Sequence, residues 1–447
     1  MKKIVFLIIA SLLLMGLVLP GMVSGQPNEI DVLIAGPMEY TQGQHMMKGA
    51  ELAATEIGTF DVGGTDYVFN PIEVETDEID DYAGAGTKLL AAITANPNAE
   101  FVLGGFRTEG VMNEIPVACG NNLTMFICGA ATYSLLQYAP YYQVVPAYAM
   151  YKYLFRGTPF NDVFLLSNSF LMLSSVAQFL QANYGITTPK VAIFAESLTW
   201  CDSIVATASA LIPGMGWTLG PVARVSDKAS STQVDPLLNA IETAECHIIY
   251  TVMSGDVGTV FSIRKGALDI PAVAVGINVE AQPASFWDDT VGNCAYEITM
   301  GTWAPNIEQT TKTATFLSGF TAANPGEFPI YTAATYDVLK VLKTAMQAEG
   351  SVANEDLISW YEDISNVQEI TSGYSGYYPR WVPGTYGEWQ GISGLAALNS
   401  TQVDAIYGSI GYNPVCNFTM PPYNTHDLIY GPGYVTGLAV QWQPTGS

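Results

Sequence analysis

The sequence predicts an α/β protein made of two similar units, each a parallel sheet covered by helices. Short apolar runs that end at glycine or proline alternate with segments whose apolar residues recur at helical spacing, and this alternation starts again near Val191. The length of 447 residues is too great for one compact core. It suits two or three units of ~150 residues each.

The first unit begins with a buried strand at Ile30–Ala35, which ends at Gly36-Pro37. The same reasoning predicts strands at Val68–Glu75, Phe101–Gly105 and Thr124–Cys128. Helices are predicted between them from the stripes Met46, Ala50, Ala53, Ile57, then Leu89, Leu90, Ile93, then Val111, Ile115, Ala118. Repeated strand–helix units of this length require parallel strands with crossover helices.

The second unit repeats this pattern. Strands are predicted at Val191–Ala195, Cys246–Val252 and Ala272–Gly276, with helices at Ile204–Leu211, Leu237–Thr243 and Val260–Leu268. A further helix is predicted from 331 to 348, because Ala334, Val338, Val341 and Ala345 lie on one stripe.

The chain is strongly acidic, with 41 Asp and Glu residues, 16 Lys and Arg residues and a formal net charge of −25. Phosphate groups are bound by clustered basic side chains, and this sequence has few of them. Nucleic acids and anionic lipid headgroups are therefore excluded as expected partners.

The N-terminus predicts export. Lys2 and Lys3 precede an apolar run from Ile4 to Leu19, and small residues around Gly25 suit a signal peptidase. Residues 1–25 are therefore interpreted as a signal peptide, which places the chain outside the cell or in the periplasm. The alternative is an uncleaved segment that tethers the protein to the membrane. No later segment is expected to be long and apolar enough to span a bilayer.

Motifs for catalysis and for cofactors are absent from the sequence. It contains three histidines and has no GxSxG elbow, no HExxH pair and no phosphate-binding loop. We therefore predict neither an enzyme nor a bound cofactor or metal. Its six cysteines permit disulfides in an exported chain, but the sequence does not fix their pairing.

Several stretches resemble the type I periplasmic binding proteins, in the leucine/isoleucine/valine-binding branch of ABC importers. The resemblance covers essentially all of the mature chain in the right order. It is carried by Ile34–Met38, Gly104–Thr108, Gly129–Thr132, Tyr153–Arg156, Tyr331–Asp337 and Val440–Gln443. The family's usual cysteine pair in the first lobe is missing, and Asp77 and Arg107 stand near those places.

The resemblance implies two Rossmann-like lobes joined by a three-strand hinge, with a ligand cleft between them. The first lobe is expected at 26–154 and 302–365, and the second at 155–301 and 366–447 with an enlarged aromatic segment. It further implies a monomeric solute-binding protein that closes on an amino acid or related small amide and delivers it to ABC permease subunits. The alternatives are the ligand-binding subunit of an extracellular sensor and a surface glycoprotein.

Candidate ligand contacts in the first lobe follow from its strand ends, where ligands of open α/β sheets bind. Thr108 follows a strand and starts a helix, so its hydroxyl is a candidate for a ligand carboxylate or a plain N-cap. Ala130, Ala131 and Thr132 follow the next strand, and Tyr40 follows the first. Arg107 has two interpretations, bidentate pairing with a ligand carboxylate or the favoured surface pairing with Glu109 or Glu114.

In the second lobe, Glu280 approximately matches the family's ammonium-binding acid, with Asn278 as the alternative equivalent. Ser254 and Asp256 follow the predicted strand at Cys246–Val252. Trp200 follows the strand at Val191–Ala195 and is a candidate apolar wall. Each of these residues is also explained as an ordinary loop residue.

Overall fold

The computed structural model describes residues 26–138, 149–158, 160–363, 366, 368–375 and 438–443. Within these ranges the chain forms two six-stranded sheets and one two-stranded sheet. The two large sheets and the helices packed on them are called the first and second lobes below.

The first lobe is built on strands β1 (Asn28–Gly36), β2 (Phe60–Val62), β3 (Thr65–Glu75), β4 (Phe101–Gly104), β5 (Thr124–Ile127) and β6 (Leu154–Arg156). Their order in the sheet is β2-β3-β1-β4-β5-β6. All neighbours are parallel except the β2–β3 hairpin. Helices α1 (Thr41–Ile57), α2 (Ala85–Ala95) and α3 (Thr108–Gly120) connect the strands. Parallel strands covered in this way are buried on both faces, which explains their unbroken apolar runs.

The second lobe contains helices α4 (Asp162–Tyr184), α5 (Thr199–Gly214), α6 (Ser231–Thr243), α7 (Val257–Ala267) and α8 (Phe286–Asp289). Its strands are β7 (Lys190–Glu196), β8 (Thr218–Val225), β9 (Ile248–Met253), β10 (Val273–Asn278) and β11 (Ile298–Gly301). Strand β14 (Leu438–Gln441) pairs antiparallel with β11. A hairpin later in the chain than β11, β12 (Gln368–Ile370) and β13 (Gly373–Ser375), forms a separate two-stranded sheet, and Thr371 between its strands donates to Asp337. The order of the large sheet is β14-β11-β10-β9-β7-β8.

After β11 the chain returns to the first lobe through α9 (Thr313–Ala323), α10 (Thr335–Glu349) and α11 (Asn354–Tyr361). A turn at Tyr331–Ala334 leads into α10, and Thr332 and Thr335 donate to the backbone oxygens of Gln42 and Met46 in α1, at 2.8 and 2.6 Å. Gly49 allows this close approach, because a Cβ there would lie 2.5 Å from the Ala333 oxygen. The segment at 331–337 therefore packs on α1 of the first lobe.

Helix α4 is long and apolar, with a mean hydropathy of 1.6 over its most apolar window. By length and composition it is able to cross a membrane, so the expectation that no later segment has these properties was wrong. Leu166, Phe170 and Leu173 of this helix are buried, and the helix packs on β10 and α5. Core packing thus accounts for these three residues, whereas Leu171 and Phe179 of the same helix are exposed.

Cysteines in the described residues form no disulfide. Cys119, Cys128, Cys201, Cys246 and Cys294 are buried and unpaired, and Cys416 lies outside the described residues. Burial raises the pKa of the Cys119 thiol to about 12, which keeps it protonated and unreactive. The predicted signal peptide and residues 376–437 of the aromatic segment also lie outside the described residues.

Candidate functional site

A cavity lies between the two lobes, at the carboxyl ends of their parallel strands. Its volume is about 40 Å³. It is lined by Phe106, Arg107, Thr108, Gly129, Ala131, Phe160, Leu165, Trp200, Ser254, Ile277, Val279, Gln282, Met300 and Tyr331. Most of these side chains are apolar or aromatic, and Arg107 is the charged residue among them. Such a combination is typical of a small-molecule site, where a few polar groups orient an otherwise apolar ligand.

The first wall of the cavity depends on a two-glycine turn after β4. Gly104 and Gly105 have φ angles of +142° and +79°. A Cβ on Gly104 would lie 1.7 Å from the backbone oxygen of Ala35 in the neighbouring strand. Only glycine fits this turn, which directs Phe106, Arg107 and Thr108 toward the second lobe.

The Glu78 carboxylate accepts hydrogen bonds from the backbone N–H groups of this turn. Its Oε2 accepts hydrogen bonds from the N–H groups of Phe106 and Arg107, at 2.8 and 2.7 Å. Thr76 donates to the other carboxyl oxygen at 3.1 Å. Burial raises the pKa of Glu78 above its ordinary value, and Glu114, which is also fully buried, lies close enough for its own pKa to be raised further by Glu78.

The second lobe repeats this arrangement at the end of β7. Glu196 is fully buried and accepts hydrogen bonds from the N–H groups of Ser254 and Gly255, at 2.8 and 2.6 Å. The Ser254 hydroxyl donates to its other oxygen at 2.9 Å. The N–H groups before α3 and α7 are therefore bonded to carboxylates of the chain itself.

Arg107 is buried between the lobes, with 4% of its side chain exposed. Its Nη1 lies 3.0 Å from Oδ2 of Asp227 in the second lobe. The favoured interpretation, surface pairing with Glu109 or Glu114, was wrong, because Arg107 is buried and its partner is Asp227. Glu109 instead accepts a hydrogen bond from the Thr199 N–H. Nε and Nη2 of Arg107 have no hydrogen-bond partner among the described residues.

Gly255 leaves room for the Arg107 guanidinium because it has no side chain. A Cβ on Gly255 would lie 2.9 Å from Arg107 Nη2 and 3.1 Å from the Asp227 backbone oxygen. We expect Gly255→Ala to displace the guanidinium and to weaken solute binding about tenfold, which equals ~1.4 kcal/mol. Calorimetric titration with a bound solute measures this change, and equal affinity of the variant and the wild type would contradict it.

Thr108 and Thr132 contact each other at the edge of the cavity. Their hydroxyl oxygens are 2.6 Å apart. Beneath them, the fully buried Arg156 donates to the backbone oxygens of Ala130 and Thr132. Thr108 and Ala131 line the cavity, whereas Ala130 and Thr132 are not part of its lining.

The remaining predicted contacts lie around the cavity and not in its lining. Glu280 accepts a hydrogen bond from Nε2 of Gln42 at 2.9 Å, and burial raises its pKa to about 7. Tyr40 donates to Asp80 at 2.8 Å, and Asp256 is exposed. Asn278, the alternative to Glu280, is fully buried and donates to Glu297 at 2.7 Å.

Trp200 and Ser254 line the cavity, and their contact with a ligand stays a prediction. The Trp200 Nε1–H is buried and has no partner among the described residues. Gln282 was not predicted. Its Nε2 donates to the Met300 backbone oxygen at 2.9 Å, while its Oε1 is buried and without a partner in the described ranges.

Polar contacts join the lobes across the cavity. Besides Arg107–Asp227, they include Gln42–Glu280 at 2.9 Å, the Thr199 N–H to Glu109 at 2.8 Å, and the ion pair Lys228–Asp80. The lobes are therefore in contact, in a closed arrangement.

Solved structures share this fold. A solute-binding protein of an ABC transporter from Rhodopseudomonas palustris HaA2, in complex with p-hydroxybenzoic acid, is 13% identical with a TM-score of 0.63, and the match covers 79% of this chain and 89% of that one. A leucine-binding protein from Thermotoga maritima MSB8 is 15% identical with a TM-score of 0.58, and the match covers 74% and 86%.

A branched-chain amino acid transporter substrate-binding protein from Streptococcus pneumoniae, in complex with isoleucine, is 15% identical with a TM-score of 0.57. The match covers 76% of this chain and 89% of that one. The chain thus has the type I periplasmic binding protein fold of these ABC-transporter solute-binding proteins, and the predicted fold class is confirmed. No family model and no curated protein matches the sequence.

Proposed function

We propose that this chain is an exported solute-binding protein that holds a small organic acid between its lobes and delivers it to an ABC importer. The observation that supports the proposal is the cavity at the strand ends of both sheets, with a buried guanidinium that has two nitrogens without a partner among the described residues. This arrangement suits the recognition of a small molecule. The described residues of the cavity lining form no catalytic constellation, and we propose binding without chemistry.

Hinge closure explains how binding would be signalled. The contacts Arg107–Asp227, Gln42–Glu280 and Lys228–Asp80 each join one lobe to the other, so they form only when the cleft is shut. A solute that touches both walls adds to these contacts and shifts the population toward the closed form. Permease subunits in the membrane would recognise the closed monomer.

The solute class is narrowed by what the similar structures have in common. The ligands named for them are p-hydroxybenzoic acid and isoleucine, and both carry a carboxylate. The amino acid that the sequence resemblance implied therefore stays one prediction among carboxylates. A sensor subunit would use the same cleft, but no contact of the described residues favours it over transport.

Native mass spectrometry of the chain purified from its own host tests this proposal. We expect an adduct of a small organic acid that is lost on denaturation, and calorimetry with that compound should then give one site per chain. In the host, deletion of the gene should abolish uptake of the same compound. A chain that retains no solute and binds none from a host metabolite extract would overturn the proposal.

Glu280 should make the closed lobes more stable in acid. Its pKa is about 7 in the folded chain, above the ordinary value of 4.5. The folded state therefore binds more protons in this range, and the stability that Glu280 contributes is present below pH 4.5 and is lost as the pH rises to about 7. We expect this loss to be on the order of 3 kcal/mol.

Urea unfolding at pH 4.5 and 7.5 measures the effect, with Glu280→Gln as the matched variant, because its amide oxygen still accepts from Gln42. Other buried acids titrate in both proteins, so the difference between the two pH profiles isolates Glu280. The same pH dependence in both proteins would contradict the prediction.

A further inference from the structure

We infer that the solute is a monocarboxylate with an apolar body and no ammonium group, and that the Nε/Nη2 edge of Arg107 binds its carboxylate. This inference rests on the proposed function and goes beyond it, because it excludes the amino acids that the sequence resemblance implied.

The free edge of Arg107 has the geometry that binds a carboxylate. Elsewhere in this chain, Arg264 holds Asp235 through the same pair of atoms, with Nε–Oδ1 at 2.6 Å and Nη2–Oδ2 at 2.7 Å. In Arg107 this pair is buried and without a partner among the described residues, while Nη1 is held by Asp227. A buried charged donor without an acceptor is costly, so a ligand that supplies two acceptors is strongly favoured.

Other donors at the strand ends are already used. Glu78 binds the N–H groups of Phe106 and Arg107, and Glu196 binds those of Ser254 and Gly255. Among the described cavity-lining side chains, Arg107 and the Trp200 Nε1–H are buried donors that remain unpaired. A solute carboxylate is therefore directed to Arg107 and not to a helix N-terminus.

An ammonium group finds no carboxylate in the described lining of the cavity, where the buried acceptor left without a partner is the amide oxygen Oε1 of Gln282. Glu280 lies outside that lining, close enough to Arg107 for the two charges to interact, and its Oε1 accepts from Gln42. The Ser254 hydroxyl donates to Glu196. A buried ammonium without a carboxylate pays a large desolvation cost. The aromatic rings of Phe106, Phe160 and Tyr331 instead offer an apolar surface to the body of the solute.

Matched pairs of probes that differ only in the amino group test the inference on the full chain. The pairs are 4-methylpentanoate against L-leucine and 3-phenylpropanoate against L-phenylalanine, with benzoate as a rigid aromatic acid. Calorimetry should show at least one deamino acid, or benzoate, binding tenfold or more tightly than either amino acid. The corresponding primary amide of that acid should bind at least tenfold more weakly than the acid.

Arg107→Lys keeps the positive charge but removes the Nε/Nη2 edge that donates two parallel hydrogen bonds. We expect this variant to bind the acid about 100-fold more weakly. Arg264→Lys is the matched control, since it breaks a bidentate pair between α6 and α7, away from the cavity, and should leave affinity unchanged. Circular dichroism of both variants shows whether they fold. If Arg107→Lys does not fold, the comparison of probe pairs on the wild type still decides the question.

The outcomes separate this inference from the proposed function. Tighter binding of L-leucine or L-phenylalanine than of its deamino partner would overturn the inference and leave the transport proposal intact. Failure of every probe would also overturn it, while the proposed function would still be judged by the solute retained in native mass spectrometry. Unchanged affinity in a folded Arg107→Lys variant would remove Arg107 from the site.

Discussion

Gly104→Ala is expected to destabilise the first lobe by ~4 kcal/mol, which is at the large end for a single substitution. The new methyl group would lie 1.7 Å from the Ala35 backbone oxygen, and the φ angle of +142° is itself unfavourable for alanine. Strands β1 and β4 are central in the sheet, so neither backbone is able to move aside without breaking the parallel pairing.

Chemical unfolding measures this loss, and Gly214→Ala provides the control. A Cβ on Gly214 meets no atom within 4 Å, and this residue ends α5 without a positive φ angle. Its substitution should change stability by less than ~1 kcal/mol. A Gly104→Ala protein as stable as Gly214→Ala would show that the turn after β4 is not as tight as described.

Glu78→Leu is expected to have the second large effect, a loss of ~3–4 kcal/mol. It leaves the N–H groups of Phe106 and Arg107 buried without an acceptor, and each such group costs ~1–3 kcal/mol. Glu78→Gln should cost much less, because its amide oxygen is able to accept both bonds. We therefore expect the two variants to differ by at least ~2 kcal/mol in urea unfolding.

Solute affinity at Arg107 provides a second comparison of the Glu78→Leu and Glu78→Gln variants. Since Glu78 fixes the backbone that carries Arg107, the leucine variant should also bind the solute more weakly than the glutamine variant. Equal stability of both variants would mean that the two N–H groups find another acceptor.

Strands with unbroken apolar runs were predictable because parallel strands are buried on both faces. The expected strands at Ile30–Ala35, Val68–Glu75 and Phe101–Gly105 lie within one residue of, or inside, the observed β1, β3 and β4. Strand β8 was not predicted, because it lies at the sheet edge and its pattern of half-exposed residues includes Gly220 and Pro221. Helix α4 was not predicted either, because its own apolar residues are distributed around the whole helix and form no single apolar stripe.

In the candidate site, residue type at a strand end was a usable signal. It located Thr108, Trp200, Ser254 and Ala131 in the cavity wall. Apolar lining residues such as Ile277 and Met300 carry no such signal, because a buried strand end looks the same whether it faces a core or a cleft. The position of Arg107 depended on its partner Asp227, 120 residues further along the chain, which only the packing of the two lobes reveals.

The internal carboxylates also determine what opening the cleft costs. Glu78 moves with the first lobe and Glu196 with the second, so each strand tip keeps these hydrogen bonds when the lobes part. Separation then exposes side chains to water and removes one backbone acceptor, since the Thr199 N–H bonds to Glu109 across the cleft. The ion pairs Arg107–Asp227 and Lys228–Asp80 are lost as well, so we expect the free-energy difference between the two positions to depend on these side chains and on the guest that fills the cavity.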